Sequence, residues 1–473
     1  RRHGGRARLR GGATAAPRAN SHTCGTCGSG TARHMSGSSA PAFYIYEEPV
    51  FDHSALIECV PGWDHHDQAA EVAAVRQLQA HPSRVLDPAA AALFVLPIYP
   101  YVSLLAASCG GTAHEGRMAA AAAALSSSVW FRRRQGADHL LATNTFRLSA
   151  LKAFRGLLAN ATVAWFESTT APRRGPGRLA AAAFWRCTVV IPYVASPFCH
   201  QQRVARPTHA CTATSTSSVF FQGSLSAASH LRSHLASLRS LPAARIVDVP
   251  RPGANGTAPG AEACEHSSTN PCATKLEFAR RMLCSNVCLT PKGDTPTSSR
   301  FFTAIACGCV PLVISDDMGF HLPFVRRVNY SFVQFVRERD FVNDPRGAVG
   351  AALRRLEPRL PALRETMREA APDLLFDEEG SRVGHNMLVE YALSCAPHRP
   401  HGHRGGARGA RGARVPAAPP QPPAAPPTPP WWRAGLVASR EDSSANRTSG
   451  ESRTRTAPRH VLRSSTSSNS SSH

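Results

Sequence analysis

No apolar run in this chain reaches the roughly eighteen residues that a membrane-crossing helix needs, and the alanine-rich stretch Met118–Leu125 is too short to be one. Acidic residues are scarce: 32 Asp and Glu stand against 54 Lys and Arg, for a formal charge of +22. The shortage is local. Residues 1–40 hold seven Arg and no acid, residues 396–473 hold twelve Arg against three acids, and residues 41–395 keep only +6. A nearly neutral middle without an RNA-binding motif argues against a nucleic-acid-binding body and leaves any such contact to the ends. Two catalytic signatures are also missing. Without Gly-x-x-x-x-Gly-Lys-Ser/Thr a P-loop nucleotidase has no support, and without Gly-x-Ser-x-Gly neither has a serine hydrolase. Cys24-Gly-Thr-Cys27 lacks a second pair, and Asp64-His-His-Asp67 lies in a Pro/Gly-flanked loop without a matched partner, so no metal site is expected.

The ends lack the apolar content of a core. Residues 1–40 are a basic segment, and residues 396–473 run from Gly-Arg repeats through a Pro/Ala stretch into Ser, Thr and Arg. Such segments bury too little to offset chain entropy and are expected to be disordered. Fourteen cysteines, most of them between the ends, point to an oxidising compartment. Cys284, Cys288, Cys307 and Cys309 flank predicted strands, as buried thiols or as disulfides. Asn-x-Ser/Thr sequons at Asn160, Asn255 and Asn329, with two more at Asn446 and Asn469, are compatible with a lumenal protein.

Between the ends, apolar runs alternate with helical patterns. Strands are predicted at Ala42–Tyr46, Ala92–Ile98, Asp138–Ala142, Thr162–Phe166 and Thr188–Tyr193, with helices at Gln68–Ala80, Met118–Ser126 and Phe146–Leu158. The scheme repeats with strands at Ser218–Gln222, Arg245–Val249, Ser285–Leu289, Val310–Ser315 and Val328–Phe332. Its helices are expected at Ala227–Leu241, Lys275–Leu283, Ser298–Ala306, Asp344–Ala370 and Ser381–Leu393. Two mainly parallel sheets covered on both faces follow: an α/β protein with domains at 41–200 and 212–395. Cys199–Ser217 reads as the linker and Arg251–Asn270 as a surface loop.

The most informative stretch is Leu283–Ser315. Asp294 or Thr295 suits an N-cap, Pro296 the first helical position, and Gly308 the stop. Lys292 and Arg300 beside that helix start repel its positive pole unless an anion is bound. A diphosphate there would gain free N–H groups, the hydroxyls of Thr297, Ser298 and Ser299, and a guanidinium. The alternative is a solvated loop whose Arg pairs with a carboxylate.

The block Cys288-Leu289, Pro291-Lys-Gly-Asp-Thr-Pro296, Ser298, Arg300, Ala304-Ile305, Gly308-Cys-Val-Pro311 and Leu322-Pro-Phe324 resembles the exostosin family of glycosyltransferases, nearest its plant and algal branches. Phe43-Tyr-Ile-Tyr46, Gly136-Ala-Asp-His139, Thr188–Tyr193 and Ser218–Gly223 with Leu231-Arg232 extend the similarity over about residues 41–395. Two departures stand out. Thr303 replaces the family's Asp or Glu, and Ala142-Thr-Asn-Thr145 replaces a stretch that tends to show His and Asp.

The resemblance implies a GT-B fold, with two Rossmann-like domains facing across a cleft. It also implies transfer of a sugar from a nucleotide diphosphate sugar, UDP-linked, to a polysaccharide or glycoprotein glycan, inverting and without a metal cofactor. It implies a type II anchor in the Golgi membrane, lumenal placement and complexes with related transferases. The donor diphosphate is assigned to Gly223, Arg232, Lys292, Gly293, Asp294, Thr295, Thr297, Ser298, Ser299 and Arg300. Asp138, His139 and Glu167 are the candidates for the base that takes the acceptor proton. Two other readings remain: a catalytically silent glycan-binding partner of an active transferase, and an RNA binder acting through the basic ends.

Overall fold

The computed structural model describes residues 39–60, 63, 69–144, 148–169, 184–199, 211, 217–225, 230–248, 271–293 and 295–397. The readings of the two chain ends, Cys24–Cys27, Asp64–Asp67, the 251–270 loop, most of the linker, Asp294, Asn255, Asn446 and Asn469 lie outside these residues.

Two parallel five-stranded sheets form the framework. The first runs β1 (Phe43–Ile45), β2 (Leu93–Leu96), β3 (His139–Ala142), β4 (Thr162–Trp165) and β5 (Cys187–Val190), in that spatial order. Every residue of β2, β3 and β4 is buried, as continuous apolar strands covered on both faces should be. Alternation divides their side chains between two cores. Phe43, Ile45, Leu93, Val95 and Leu140 share one with Val72, Val75 and Leu78 of the helix Ala70–Gln79. Phe94, Leu96, Leu141 and Val163 share the other with Met118, Ala121 and Leu125 of the helix His114–Ser127.

The second sheet contains β6 (Ser217–Gly223), β7 (Ala244–Asp248), β8 (Ser285–Pro291), β9 (Val310–Ile314) and β10 (Gln334–Phe335), in the order β10-β9-β8-β6-β7. The chain steps outward from β6 to β7, then crosses back over β6 to build β8, β9 and β10. This reversal makes the gap beyond the carboxyl ends of β6 and β8 a topological switch point, where open parallel sheets bind ligands. The helix Val383–Ser394 then returns to the first sheet. Gln77 donates to Phe376 O at 3.0 Å and accepts from Gly384 N at 2.7 Å, and Cys187 is disulfide-bonded to Cys395.

Several local expectations need correction. The α-helix Ser299–Ala306 begins later than Pro296, with Ser298 rather than Asp294 or Thr295 as N-cap, its side chain accepting from Arg300 N. Gly308, at φ +72°, ends it as expected. Of the 146–158 pattern, the described part folds as 3-10 turns, Leu148–Phe154 and Leu157–Asn160. The helix 344–370 is interrupted by a 3-10 turn, Glu357–Arg359, with Pro358 and Pro361 beside the break. The predicted strand 328–332 is a loop, although Val328, Tyr330 and Phe332 are buried in alternation. An Asx turn in which Asn329 Oδ1 accepts from Ser331 N, at 3.0 Å, withdraws that segment from the ladder, and β10 forms just after it. Of the helix predicted over 227–241, the described part is one α-turn, Leu231–His234, followed by the 3-10 turn Leu235–Ser240. No helix among the described residues is long and apolar enough to cross a membrane.

All four cysteines around the central block are oxidised, as Cys288–Cys309, Cys199–Cys307 and Cys211–Cys284. Cys59–Cys109 adds a further bridge in the first half.

Candidate active site

Two arginines converge on the switch point. Gly223 ends β6 at φ +157°, and a Cβ built on it would overlap Arg300 Nη2. Only glycine lets the guanidinium lie against the strand end. Arg300 is fixed there by its Nε donating to Gln222 O at 3.2 Å and by its stacking over the Phe221 ring at 5.3 Å. Gly293, just past β8, lies so near Arg232 that a Cβ would stand 3.1 Å from its Nη2. Arg232 is 7% exposed, so its guanidinium lies within the edge rather than out in solvent. Two glycines and two arginines from four segments therefore share one edge. Ser298, Ser299 and Arg300 are half-buried, so the helix start is not sealed.

Lys292 differs from the expectation of a free cation. Its Nζ is ion-paired with Glu338, which also accepts from Asp316 N at 3.0 Å. Asp316 Oδ1 accepts from Glu338 N in return, at 3.0 Å. Lys292 thus serves the loop after β9.

Glu167 follows β4 and is 4% exposed. Thr297, the residue before the N-cap, donates from Oγ1 to Glu167 Oε1 at 3.1 Å. The Tyr193 hydroxyl lies 3.3 Å from the same Thr297 oxygen, and its ring stacks on Phe166 at 3.7 Å. On the other side, Ser168 N donates to His321 Nδ1 at 2.9 Å. The carboxylate therefore sits between the halves, against the start of the helix that carries Arg300. Tyr193 and His321 escaped sequence reasoning, although His321 directly precedes the Leu322-Pro-Phe324 motif.

Asp138 and His139 lie elsewhere. They open β3 rather than close it, so the strand separates them from the carboxyl edge by about 13 Å. Both are fully buried, and their bonds are made within the core. Asp138 Oδ1 meets His139 Nδ1 at 2.9 Å, His139 Nε2 meets the Tyr46 hydroxyl at 2.9 Å, and Arg133 Nη2 pairs with Asp138 Oδ2 at 3.0 Å. Burial pushes the Asp138 carboxyl up, but bonds from His139 and Arg133 outweigh it and hold the group below the usual range. Burial also lowers His139, against the opposing pull of Asp138. The placement of this pair on the crevice is corrected: it braces the sheet's amino edge.

The two family departures are also placed. Thr303 is buried, its Oγ1 accepting from Ser196 N at 3.3 Å, so it faces the segment after β5. Ala142 ends β3, and Thr143 donates to Glu71 Oε2 at 3.4 Å. Glu71 is fully buried, and desolvation drives its carboxyl up to about 8 against bonds from Val102 N, Tyr101 N and Thr143. No group of three or more His, Cys, Asp or Glu suited to a metal occurs among the described residues.

Residues 38–347 match the Exostosin GT47 domain, a span that includes every residue of the edge just described. The chain is 26% identical over 317 residues to the probable β-1,4-xylosyltransferase IRX10 of Arabidopsis thaliana, covering 63% of this chain and 68% of that protein. It is 27% identical over 126 residues to the probable xyloglucan galactosyltransferase GT19 of Arabidopsis thaliana, 26% of this chain and 27% of that one. A 46-residue segment is 46% identical to the probable arabinosyltransferase ARAD1 of Arabidopsis thaliana, 10% of each chain. With the family match covering well over half its length, the chain belongs to the exostosin GT47 family of glycosyltransferases.

Proposed function

We propose that this chain moves a sugar from a nucleotide diphosphate sugar, UDP-linked, to a hydroxyl of a cell-wall polysaccharide or a glycoprotein glycan. The observation that carries this reading is the convergence of Arg232 and Arg300 on Gly293 and Gly223, one helix start away from Glu167. Cleavage of the bond between the anomeric carbon and the diphosphate oxygen leaves negative charge on the diphosphate, and preorganised cations and N–H groups in a half-buried edge stabilise it. Arg232, Arg300, Thr295, Ser298 and Ser299 are the residues for that role, while the Gly293 N–H joins them only by releasing Thr295 O, to which it donates at 3.1 Å. Lys292 joins them only by leaving Glu338.

Inversion requires a base opposite the leaving group, and Glu167 is the candidate with the right address. In the reaction Glu167 takes the proton from the acceptor hydroxyl as its oxygen bonds to the anomeric carbon, and the nucleoside diphosphate leaves. Positive charge from the arginines fills the electrostatic role without a metal. Xylose, galactose and arabinose, the sugars in the relatives' names, are the donors to try first. The five disulfides among the described residues fit an oxidising lumen, so we place the protein in the Golgi, membrane-anchored and working beside related transferases.

The test is a thermal-shift screen of UDP-xylose, UDP-galactose and UDP-arabinose, followed by transfer assays with xylo-oligosaccharides and xyloglucan fragments. Stabilisation followed by product formation supports the reading, and Arg300→Ala should remove most turnover. A second reading, the catalytically silent glycan-binding partner, is favoured by Thr303 and by the Ala142–Thr145 sequence. Stabilisation by a nucleotide sugar without turnover would select it. The RNA reading would need salt-sensitive binding that disappears on deletion of 396–473.

A further inference from the structure

Glu167 belongs to the first sheet by sequence, yet its segment is gripped from the second half on both sides. Thr297 donates to its carboxylate at 3.1 Å from the start of the helix Ser299–Ala306. The next amide in the chain, Ser168 N–H, donates to His321 Nδ1 at 2.9 Å, and His321 closes the 3-10 turn Met318–His321 after β9. His321 is 1% exposed. A ring nitrogen that accepts an N–H carries no proton, so the imidazole is neutral with its hydrogen on Nε2. The two grips come from two different loops, both at the carboxyl edge of the second sheet.

We propose that His321 is a positioning residue for transfer: it fixes the Glu167-Ser168 peptide so that Glu167 is held in register with the diphosphate site rather than with its own sheet alone. The proposal rests on the assignment of Glu167 as the base. Its physical content is that a bond from the donor-binding half sets where the carboxylate stands relative to the anomeric carbon. Misplacement of a general base by about 1 Å costs on the order of 100-fold in rate while leaving donor binding to the arginines intact.

The experiment compares His321→Leu with His321→Asn, because an Asn Oδ1 occupies nearly the position of the imidazole Nδ1 and can accept the same N–H. Four readouts are taken on the full chain: melting by circular dichroism, UDP affinity by calorimetry, hydrogen exchange in the peptide holding Ser168, and kcat and KM for transfer. His321→Leu should keep UDP affinity within about threefold, speed exchange at Ser168, and lower kcat about 10- to 100-fold with donor KM little changed. His321→Asn should restore slow exchange and most of kcat. Should His321→Leu fail to fold, the Asn variant carries the test through its retained exchange protection and rate.

Wild-type kcat in His321→Leu, or equal damage in both variants, would overturn the positioning role. The underlying reading has its own control. If Glu167→Gln retains full transfer, the base assignment falls and the proposal with it. If Glu167→Gln is inactive while His321→Leu is unimpaired, only the positioning role falls.

Discussion

Thr297 and Glu167 are 130 residues apart in sequence, yet Thr297 Oγ1 donates to Glu167 Oε1 at 3.1 Å. That bond joins the start of the helix bearing Arg300 to the carboxyl end of β4. The Tyr193 hydroxyl, 3.3 Å from Thr297 Oγ1, can donate into the same oxygen, so the single threonine proton is directed at the carboxylate. A base and a diphosphate site joined in this way have a fixed separation.

Thr297→Val keeps the shape of the side chain and deletes that donor. A hydrogen bond to a charged group contributes about 1.5–3 kcal/mol, so transfer should slow by roughly 10- to 100-fold. UDP affinity should change little, because the arginines remain. Steady-state kinetics beside calorimetry will separate the two effects. A parallel loss of UDP binding would mean that Thr297 contacts the nucleotide itself.

Gly223→Ala tests the other half of the edge. The added methyl would overlap Arg300 Nη2, so the guanidinium must leave its seat between Gln222 O and the Phe221 ring. Donor affinity should fall more than about tenfold, since a displaced arginine no longer meets the diphosphate in register. Calorimetry with UDP, checked by an unchanged far-ultraviolet spectrum, measures this. Unaltered affinity would remove Arg300 from the diphosphate site.

The sequence already held much of this edge, because its parts are local. Gly223 and Gly293 close strands, Arg232 and Arg300 open helical turns, and apolar runs such as Leu93–Leu96 and Val310–Ile314 mark the strands. What was not legible depends on long-range packing. Nothing near His321 says that its ring meets Ser168, and nothing near Tyr193 announces Thr297. Lys292 looked like a ligand for an anion until Glu338 arrived from beyond β9. The Asp138-His139 pair misled for a related reason: polar residues before an apolar run are chemically suggestive, but the direction of a parallel strand decides which edge they occupy. At 328–332 the buried alternation was real and the ladder was not, since burial period alone does not specify a pairing partner.

Asn144 offers a stability test. Its side chain is fully buried at the carboxyl end of β3, and among the described residues neither its amide nitrogen nor its amide oxygen has a hydrogen-bond partner. An unsatisfied buried polar group costs about 1–3 kcal/mol. Asn144→Leu, close in volume and without polar atoms, should therefore raise stability by about 1 kcal/mol or more in denaturant unfolding. A loss of stability instead would show that water or a local rearrangement satisfies the amide.

Glu71 should leave a signature in the pH dependence of stability. Its folded pKa is raised to about 8 by burial, from an ordinary value of 4.5. Between these values the native state holds a proton that the unfolded chain has released, so stability falls as pH rises through the window. Below about 4.5 both states are protonated and the effect disappears. Glu71→Gln retains an oxygen to accept from Val102 N and Tyr101 N but cannot ionise. The variant should match the wild type near pH 4.5 and exceed it increasingly up to pH 8. The difference between the two profiles isolates this carboxyl from His53, His81, His114, His139 and His385, whose lowered pKa values make stability rise with pH toward 6.5 in both proteins. Urea unfolding at half-unit intervals will show it, and parallel profiles would mean that Glu71 stays ionised in its buried site.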